Sequence, residues 1–349
     1  MTVTVVQNSK LNPLKLDDFP RYHLCHNPTP IEPMVRLSEI LSGPQLFIKR
    51  DDCTGLATGG NKTRKLEFLI GEALAQNADI IVTQGAVQSN HVRQTAAAAC
   101  KVGMDCHALL ERRVQDAPAS YETTGNVFLD KVFGTSLEFR PPGLDMNAEA
   151  VAVVDQLKAQ GRRPYFIPGG GSNPIGAIGY ANCAAEIASQ ETDMAMHFDW
   201  LVMGTGSTGT QAGLVAGFHM IGRDMPVMGI SVRQPHDRQR TAVHKLTSAT
   251  IEALGGEPIA ISKIHIDDGY VGQGYGIPAE STLDAISLTA RNEGILLDPV
   301  YSAKGMAGLI GLVKQGFFKP TDNVLFLHTG GASALFAYED QLLDHQEQS

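Results

Sequence analysis

The segment 199–218, DWLVMGTGSTGTQAGLVAGF, has the pattern of an apolar strand, a turn rich in glycine and hydroxyl groups, and a helix. Similar apolar runs alternate with amphipathic segments along the chain, for example QLFIKR at 45–50 and NVLFLHTGG at 323–331. Such alternation is typical of α/β units arranged around mostly parallel sheets. The sequence therefore predicts an α/β fold whose ligand site lies beyond the carboxyl ends of the strands.

Length and composition limit the classes of protein to which the chain can belong. Its 349 residues fit one large or two medium domains. The net charge of -9 argues against sequence-independent binding to nucleic acid or to an anionic membrane. The five scattered cysteines form no C-x-x-C pair, so neither a disulfide framework nor a metal site is expected. Residues 1–24 contain no recognisable secretory leader, and the expected compartment is the cytoplasm.

The turn inside segment 199–218 has the composition of a phosphate-binding loop. It carries three glycines and three hydroxyl side chains, namely Gly204, Gly206, Gly209, Ser207, Thr208 and Thr210. Converging backbone N–H groups, hydroxyl donors and the dipole of the following helix favour an anion there. The same glycines match G-x-G-x-x-G, so a dinucleotide site is an alternative. Because the next strand leads to Arg233 rather than to an acidic residue, that alternative suits only NADP.

A second signal is the cation-rich segment GGNKTRKLEF at 59–68. On a helical wheel Lys62 shares the apolar stripe with Leu66, Arg64 points to the opposite side, and Lys65 lies on the flank. A lysine on the apolar stripe at the start of a helix is partly desolvated and meets the positive helix end, and both effects lower its pKa. Such an amine is suited to forming an imine. The alternative is a lysine whose ammonium group reaches water past the first turn.

One phosphate site combined with one activated lysine suggests pyridoxal 5′-phosphate (PLP) as the cofactor. With Lys62, GTGSTGTQAG at 204–213 and GAVQSNHVRQTAA at 85–97, the chain resembles the fold-type-II PLP enzymes. Within them it resembles the group that contains 1-aminocyclopropane-1-carboxylate (ACC) deaminase, D-cysteine desulfhydrase and L-cysteate sulfo-lyase. The similarity extends from PTPIEPMVRLS at 28–38 to LFLHTGGASALFAY at 325–338.

The resemblance implies a fold of two open, twisted, mostly parallel sheet domains, similar to the β subunit of tryptophan synthase. A large PLP-binding domain would comprise residues 1–64 and 176–349, and a small α/β domain of residues 65–175 would be inserted in it. The cofactor would lie in the cleft between the two domains. Relatives of this type are commonly homodimers.

The resemblance also assigns the cofactor contacts by position. Lys62 becomes the Schiff-base lysine, and Asn90 becomes the partner of the phenolic oxygen. The phosphate would be held by Ser207, Thr208, Gly209 and Thr210. Two further positions, Ser302 and Thr329, replace the glutamate and the leucine that the deaminase carries there. A neutral hydroxyl at the pyridine nitrogen makes the ring a weaker electron sink, which disfavours ring-opening deamination.

The substrate carboxylate would be surrounded by Gln88, Ser89, Asn90 and His91, although Ser89 and Asn90 could instead cap a helix. Besides Lys62, the implied catalytic residues are Ser89, Tyr275 and Tyr301. The two tyrosines would flank the cofactor, and one of them would assist proton transfer at the leaving group.

The predicted reaction is an α,β-elimination from a sulfur amino acid, most simply L-cysteate to pyruvate, sulfite and ammonia. D-cysteine desulfhydration is the alternative, and ACC deamination or an NADP-dependent oxidation is less favoured. A PLP-carrying binding protein without turnover is a further alternative. Candidate donors for a leaving sulfonate are Arg233, His236 and the turn Gly169–Ser172.

Overall fold

The computed structural model of the protein describes residues 12–348. Residues 1–11 and 349, which belong to the predicted large domain, lie outside the described residues. The described chain forms ten strands: β1 (Ile31–Pro33), β2 (Gln45–Arg50), β3 (Ile80–Ala86), β4 (Asp105–Glu111), β5 (Ser136–Arg140), β6 (Pro164–Ile167), β7 (Trp200–Thr205), β8 (Val227–Ser231), β9 (His265–Asp267) and β10 (Asn323–His328). It also forms eleven α-helices: α1 (Val35–Leu41), α2 (Lys62–Ala75), α3 (Asn90–Lys101), α4 (Gly125–Val132), α5 (Met146–Ala159), α6 (Pro174–Asp193), α7 (Gly209–Ile221), α8 (His236–Ala253), α9 (Glu280–Glu293), α10 (Ser302–Lys314) and α11 (Glu339–Gln348).

The strands form two sheets. The larger has the order β1-β2-β10-β7-β8-β9, and the smaller has the order β5-β4-β3-β6. Every pairing is parallel except that of β1 with β2. This architecture agrees with the predicted α/β fold of mostly parallel sheets. The strands of the smaller sheet all lie within residues 80–167, but residues 65 and 175 fall inside α2 and α6, so the domain boundaries stay a prediction.

Both sheets are covered by helices on both faces, which is why central strands such as β7 and β10 are mostly apolar. In the larger sheet Phe326 packs toward α9 and α10, whereas Leu325 packs toward α6 and α7. In the smaller sheet Ile81 faces α2 and α3, and Val82 faces α5. Helices α6 and α7 touch so closely that a Cβ atom at Gly213 would lie 2.2 Å from the carbonyl oxygen of Ala177.

Helix α2 lies between the two sheets and is buried on nearly all sides. The exposed fractions of Lys62, Arg64 and Lys65 are 9%, 1% and 0%. The prediction that Lys62 alone faces inward was therefore too narrow. A helical wheel assumes one solvent-exposed face, whereas α2 is packed against both α3 and α6.

The buried guanidinium of Arg64 belongs to an ionic network that joins α2 to β2 and α6. It donates to Asp51 at 2.8 Å and to Glu186 at 2.9 Å, and Lys49 also pairs with Glu186. Burial by itself would lower the pKa of Arg64, but Asp51 and Glu186 raise it well above its usual value. Arg64 is therefore charged and is paired with the ionised carboxylates of Asp51 and Glu186.

Within residues 12–348, no helix is both long and apolar enough to cross a membrane. All five cysteines are free thiols. No cluster of three or more histidine, cysteine or acidic side chains in that part of the chain could hold a metal ion.

Candidate active site

A cavity lies between the two sheets, at the carboxyl ends of β3, β7 and β10. Its lining includes Gln84 to Ala86 from β3, Met203 to Thr205 from β7, and Thr329 just after β10. Helices α2, α3 and α7 begin at this cavity, so three helix N-termini and three strand ends meet there. This is the position at which ligands bind in open α/β sheets.

Lys62 lines the cavity from the first turn of α2. Burial lowers the pKa of its amine to about 8, and Asp298 opposes this effect only in part. Since no carboxylate lines the described cavity, desolvation dominates. About one tenth of the Lys62 amine is therefore neutral, and hence nucleophilic, at pH 7, which is far more than for an ordinary lysine.

The predicted phosphate turn forms another part of the lining, with Ser207, Thr208 and Thr210 at the cavity. Thr208 has a φ of 71°, a left-handed conformation that threonine rarely adopts. At Gly206, a Cβ atom would lie 2.9 Å from both the Tyr301 ring and Val232, so only glycine fits. The side chain of Asn61 donates to Thr210 at 2.9 Å, which links the turn directly to the residue before Lys62.

Lys65 is a second buried amine that the sequence reasoning missed. Its Nζ donates to the carbonyl oxygen of Gly170 at 3.0 Å. A Cβ atom at Gly209, the first residue of α7, would lie 2.8 Å from the same Nζ. Burial, reinforced by Lys62, holds the pKa of Lys65 well below its usual value. A cation beside the phosphate turn is stabilised only when an anion accompanies it, so Lys65 is suited to a phosphate group.

Of the four residues predicted to surround a substrate carboxylate, three line the cavity: Ser89, Asn90 and His91. Ser89 caps α3 by accepting from the backbone N–H of Val92 at 3.3 Å. The Nε2 of His91 lies 2.8 Å from the hydroxyl of Thr83, which itself donates to the carbonyl of Ile167. His91 must therefore donate to Thr83. Burial lowers the pKa of His91 well below its usual value, so the ring is neutral.

Gln88 lies outside the cavity lining. Its amide nitrogen donates to the carbonyl oxygens of Tyr121 at 2.6 Å and Thr124 at 3.0 Å. Its amide oxygen accepts from the backbone N–H of Asn126 at 2.9 Å. The side chain anchors the segment 121–126 rather than facing a ligand.

Tyr275 and Tyr301 line the cavity as an edge-to-face pair, with ring centroids 5.7 Å apart. Burial raises the pKa of both phenols, and the neighbouring cations Arg113 and Arg233 oppose this effect only in part. Both phenols are therefore protonated at neutral pH and can act as acids. The guanidinium of Arg113 lies 5.1 Å from the centre of the Tyr275 ring.

The chain carries Ser302 and Thr329 where ACC deaminase carries glutamate and leucine. These two residues lie in different places. Thr329 lines the cavity, whereas Ser302 does not. The hydroxyl of Ser302 lies 2.7 Å from a carboxylate oxygen of Asp298, to which it donates. Asp298 also accepts from the backbone N–H groups at the start of α10. Of these two side chains, only Thr329 therefore lies at the cavity.

The candidate donors for a sulfonate also differ in whether they line the cavity. Arg233 lines the cavity, and Gly169 and Gly170 line it beside the phosphate turn, where a Cβ atom at Gly170 would lie 2.3 Å from Ser207. His236 lies outside the lining, and its ring is 2.9 Å from Asp237.

The donor set fits a phosphorylated aldehyde cofactor such as PLP. The phosphate turn supplies hydroxyl and N–H groups to the cavity, and Lys62 supplies a nucleophilic amine within it. Lys65 lies outside the cavity lining, with its amine close to Gly209 of the turn. Thr329 and Asn90 contribute neutral polar groups to the lining. A dinucleotide cofactor would not use the nucleophilic amine of Lys62, because hydride transfer requires no imine.

Comparisons with known proteins agree with this fit. A family model described as "Pyridoxal-phosphate dependent enzyme" matches residues 23–330. D-cysteine desulfhydrase of Yersinia pestis (strain Pestoides F) is 46% identical over 329 residues, which is 94% of this chain and 98% of that protein. D-cysteine desulfhydrase of Serratia proteamaculans (strain 568) is 45% identical over 328 residues, with the same coverage. A solved structure described as an ACC deaminase homologue superposes with a TM-score of 0.86 at 37% identity, covering 95% of this chain and 97% of that one.

Proposed function

The chain belongs to the family of pyridoxal-phosphate-dependent enzymes and is a lyase that uses PLP, and from this premise we propose that it catalyses α,β-elimination from a small sulfur-containing amino acid. Carbon–sulfur cleavage releases the sulfur leaving group, and hydrolysis of the remaining aminoacrylate by water would give pyruvate and ammonia. The observation that carries the proposal is the buried Lys62 amine, with its pKa of about 8, in the same cavity as the phosphate turn.

When bound, PLP supplies an electrophilic carbonyl and a ring that withdraws electrons from the α-carbon of the substrate. We assign Lys62 to the covalent attachment of the cofactor and, once released, to removal of the α-proton. A base with a pKa near the working pH is the most effective at such a transfer. The phosphate turn and Lys65 would hold the phosphate, so that the amine of Lys62 stays fixed relative to the reacting carbon.

The start of α3 is the proposed carboxylate site. Ser89, Asn90 and His91 line the cavity there, and the N-terminal end of a helix favours an anion. Neutral donors suit this task, because Lys62 must keep its low pKa. A substrate carboxylate that arrives together with the substrate's own ammonium group would leave the pKa of Lys62 unchanged. A carboxylate side chain fixed in the cavity lining would raise that pKa.

Tyr275 and Tyr301 are the proposed acids for the leaving group. Their raised pKa values keep both phenols protonated, which is the state needed to donate a proton to a departing sulfur. Arg113 and Arg233 lie near enough to stabilise the phenolate that this donation leaves behind.

D-cysteine is the first candidate substrate, because the two relatives described above carry the name D-cysteine desulfhydrase. The sequence-based prediction ranks L-cysteate first, and one observation supports it as a second candidate. The cavity is lined by two guanidinium groups, those of Arg113 and Arg233, and by no acidic side chain among the described residues. Arg233 has no ion pair or hydrogen bond within the described chain, so its charge is available to an anionic substituent such as a sulfonate.

A side-by-side turnover assay with D-cysteine, L-cysteate, L-cysteine and ACC tests the proposal. We expect pyruvate together with sulfide from D-cysteine or with sulfite from L-cysteate, and no ketobutyrate from ACC. Lys62→Ala protein is the negative control. A spectral change without pyruvate from any sulfur amino acid would indicate a binding protein and would contradict the proposal.

The setting of the reaction follows the sequence-based expectation. We propose a cytoplasmic homodimer that acts on a free amino acid. Light scattering on the purified protein would test the dimer.

A further inference from the structure

The orientation of the Asn90 amide is fixed by two residues outside the cavity lining. Arg93 is buried and donates from Nε to the side-chain oxygen of Asn126 at 2.8 Å. Asn126 donates from Nδ2 to the side-chain oxygen of Asn90 at 3.0 Å. These two hydrogen bonds form a chain that runs from the guanidinium to the cavity.

The direction of this chain is set by its first member. An arginine side chain has five N–H donors and no acceptor, so Asn126 must turn its oxygen toward Arg93. Its nitrogen then faces Asn90, which must use its oxygen to accept. The amide nitrogen of Asn90 is left for another partner, and it points toward Gly331, where a Cβ atom would lie 2.5 Å away.

The guanidinium of Arg93 cannot rotate to another arrangement without losing its other contacts. It donates to the hydroxyl of Thr58 at 2.9 Å, to the carbonyl of Gly59 at 3.2 Å and to that of Ala57. These residues form the loop directly before α2. Gln88 holds Asn126, the middle member of the chain, because its amide oxygen accepts from the backbone N–H of Asn126.

We propose that Asn126, oriented by Arg93, is a positioning residue that makes Asn90 a hydrogen-bond donor toward the cofactor. This proposal rests on the proposed function only through the cofactor. The phenolic oxygen of the cofactor is the acceptor for the amide nitrogen of Asn90. A reversed amide would present an oxygen to that oxygen, and the two would repel each other.

Asn126→Asp and Asn126→Ala separate this role from simple packing. Aspartate has the size of asparagine and still accepts from Arg93, but it cannot donate to Asn90, so the Asn90 amide turns over to donate to it. Alanine leaves a small gap and lets the Asn90 amide choose its orientation. A packing role predicts that alanine is more harmful, whereas the proposed role predicts that aspartate is more harmful.

The measurement is titration of the apoprotein with PLP, followed by absorbance and without any amino acid substrate. We expect Asn126→Asp to weaken PLP binding about 10- to 100-fold and Asn126→Ala about fivefold or less. Asn323→Asp is the control, because Asn323 begins β10, at the far end of the strand from Thr329, and it should bind as wild type does. Binding of PLP that is weakened more by alanine than by aspartate would overturn the proposal.

A PLP analogue that lacks the phenolic oxygen completes the test. We expect wild type and Asn126→Asp to bind this analogue equally, because the affected contact is absent. A difference that persists with the analogue, or a lower melting temperature of the Asn126→Asp apoprotein, would show a structural role and overturn the proposal. Because no substrate is present, failure of the lyase activity would leave these outcomes unchanged.

Discussion

The first turn of α2 carries three buried basic side chains, and the surroundings of Arg64 differ from those of Lys62 and Lys65. Arg64 meets two carboxylates, those of Asp51 and Glu186, and its pKa lies well above the usual value. Neither Lys62 nor Lys65 forms an ion pair with a carboxylate among the described residues, and the pKa values of both amines are lowered.

The difference shows how one short segment serves both stability and chemistry. A buried charge must be paired, or it shifts its pKa toward neutrality. Pairing makes Arg64 an inert part of the scaffold. The absence of pairing lets burial lower the pKa values of Lys62 and Lys65, which is why we propose the first for the cofactor aldehyde and the second for its phosphate. Changing members of each group tests this distinction.

The largest expected effect is that of Lys62→Ala. Turnover should fall at least about 10³-fold, because both covalent attachment and proton removal are lost. The absorbance band of the lysine-bound cofactor should disappear, which a spectrum of the purified protein would reveal. Lys304→Met is the matched control, since Lys304 is also buried with a pKa of about 8 but donates to backbone carbonyls outside the cavity. A cofactor band that survives in Lys62→Ala would contradict the assignment.

Arg64→Met tests the paired group. Removal of the guanidinium leaves Asp51 and Glu186 buried with too little positive charge, so the free energy of unfolding should fall by about 3–5 kcal/mol. Urea denaturation followed by circular dichroism would measure it. Arg112→Met, which removes an exposed ion pair with Glu122, should have no measurable effect. Equal stability of the two variants would show that the network is not needed for folding.

Lys65→Met should weaken PLP binding about 10- to 100-fold, because a charge-assisted hydrogen bond to phosphate is lost. At saturating PLP the band of the lysine-bound cofactor should return, since Lys62 is intact. Equilibrium titration of the apoprotein would measure the change, with the exposed Lys158→Met as control. Unchanged affinity would remove Lys65 from the phosphate site.

The smallest expected effect is one of pH. Only the neutral amine of Lys62 attacks an aldehyde, and with a pKa of about 8 its neutral fraction rises with pH. Between pH 7 and pH 9 that fraction grows from about one tenth to about nine tenths. The rate at which PLP attaches to the apoprotein should therefore rise about tenfold, as measured by stopped-flow absorbance. A rise of about a hundredfold over this range would indicate a normal, exposed lysine and would contradict the lowered pKa.

Much of the fold follows from local patterns. Strands such as β7 and β10 are short apolar runs because both of their faces are buried, and the sequence predicts them. Helix α6 was not predicted, because its small and apolar residues occur on all sides and give no amphipathic stripe. Strand β9, with three residues, is too short to give a pattern.

The candidate site was predictable only where its residues belong to short motifs. The turn after β7 and the start of α3 are each a continuous stretch of sequence. The matched family confirms the predicted cofactor. The roles given to individual site residues stay predictions. Lys65 was missed because its partner Gly170 is 105 residues away in the chain. Arg113 and Asn126 likewise acquire their surroundings only from tertiary packing, which no helical wheel contains.

The position of β10 has a consequence for biogenesis. This strand is the last of the six in chain order, yet it lies in the interior of its sheet, between β2 and β7. While a ribosome is still producing residues 200–320, β2 and β7 cannot reach their common neighbour, and their edges stay open. The strands of the smaller sheet all lie within residues 80–167, and α2, which covers one of its faces, precedes them, so this sheet can assemble first. A nascent chain stalled before residue 323 would therefore carry a finished small sheet beside an unfinished large one, which is a natural substrate for chaperones.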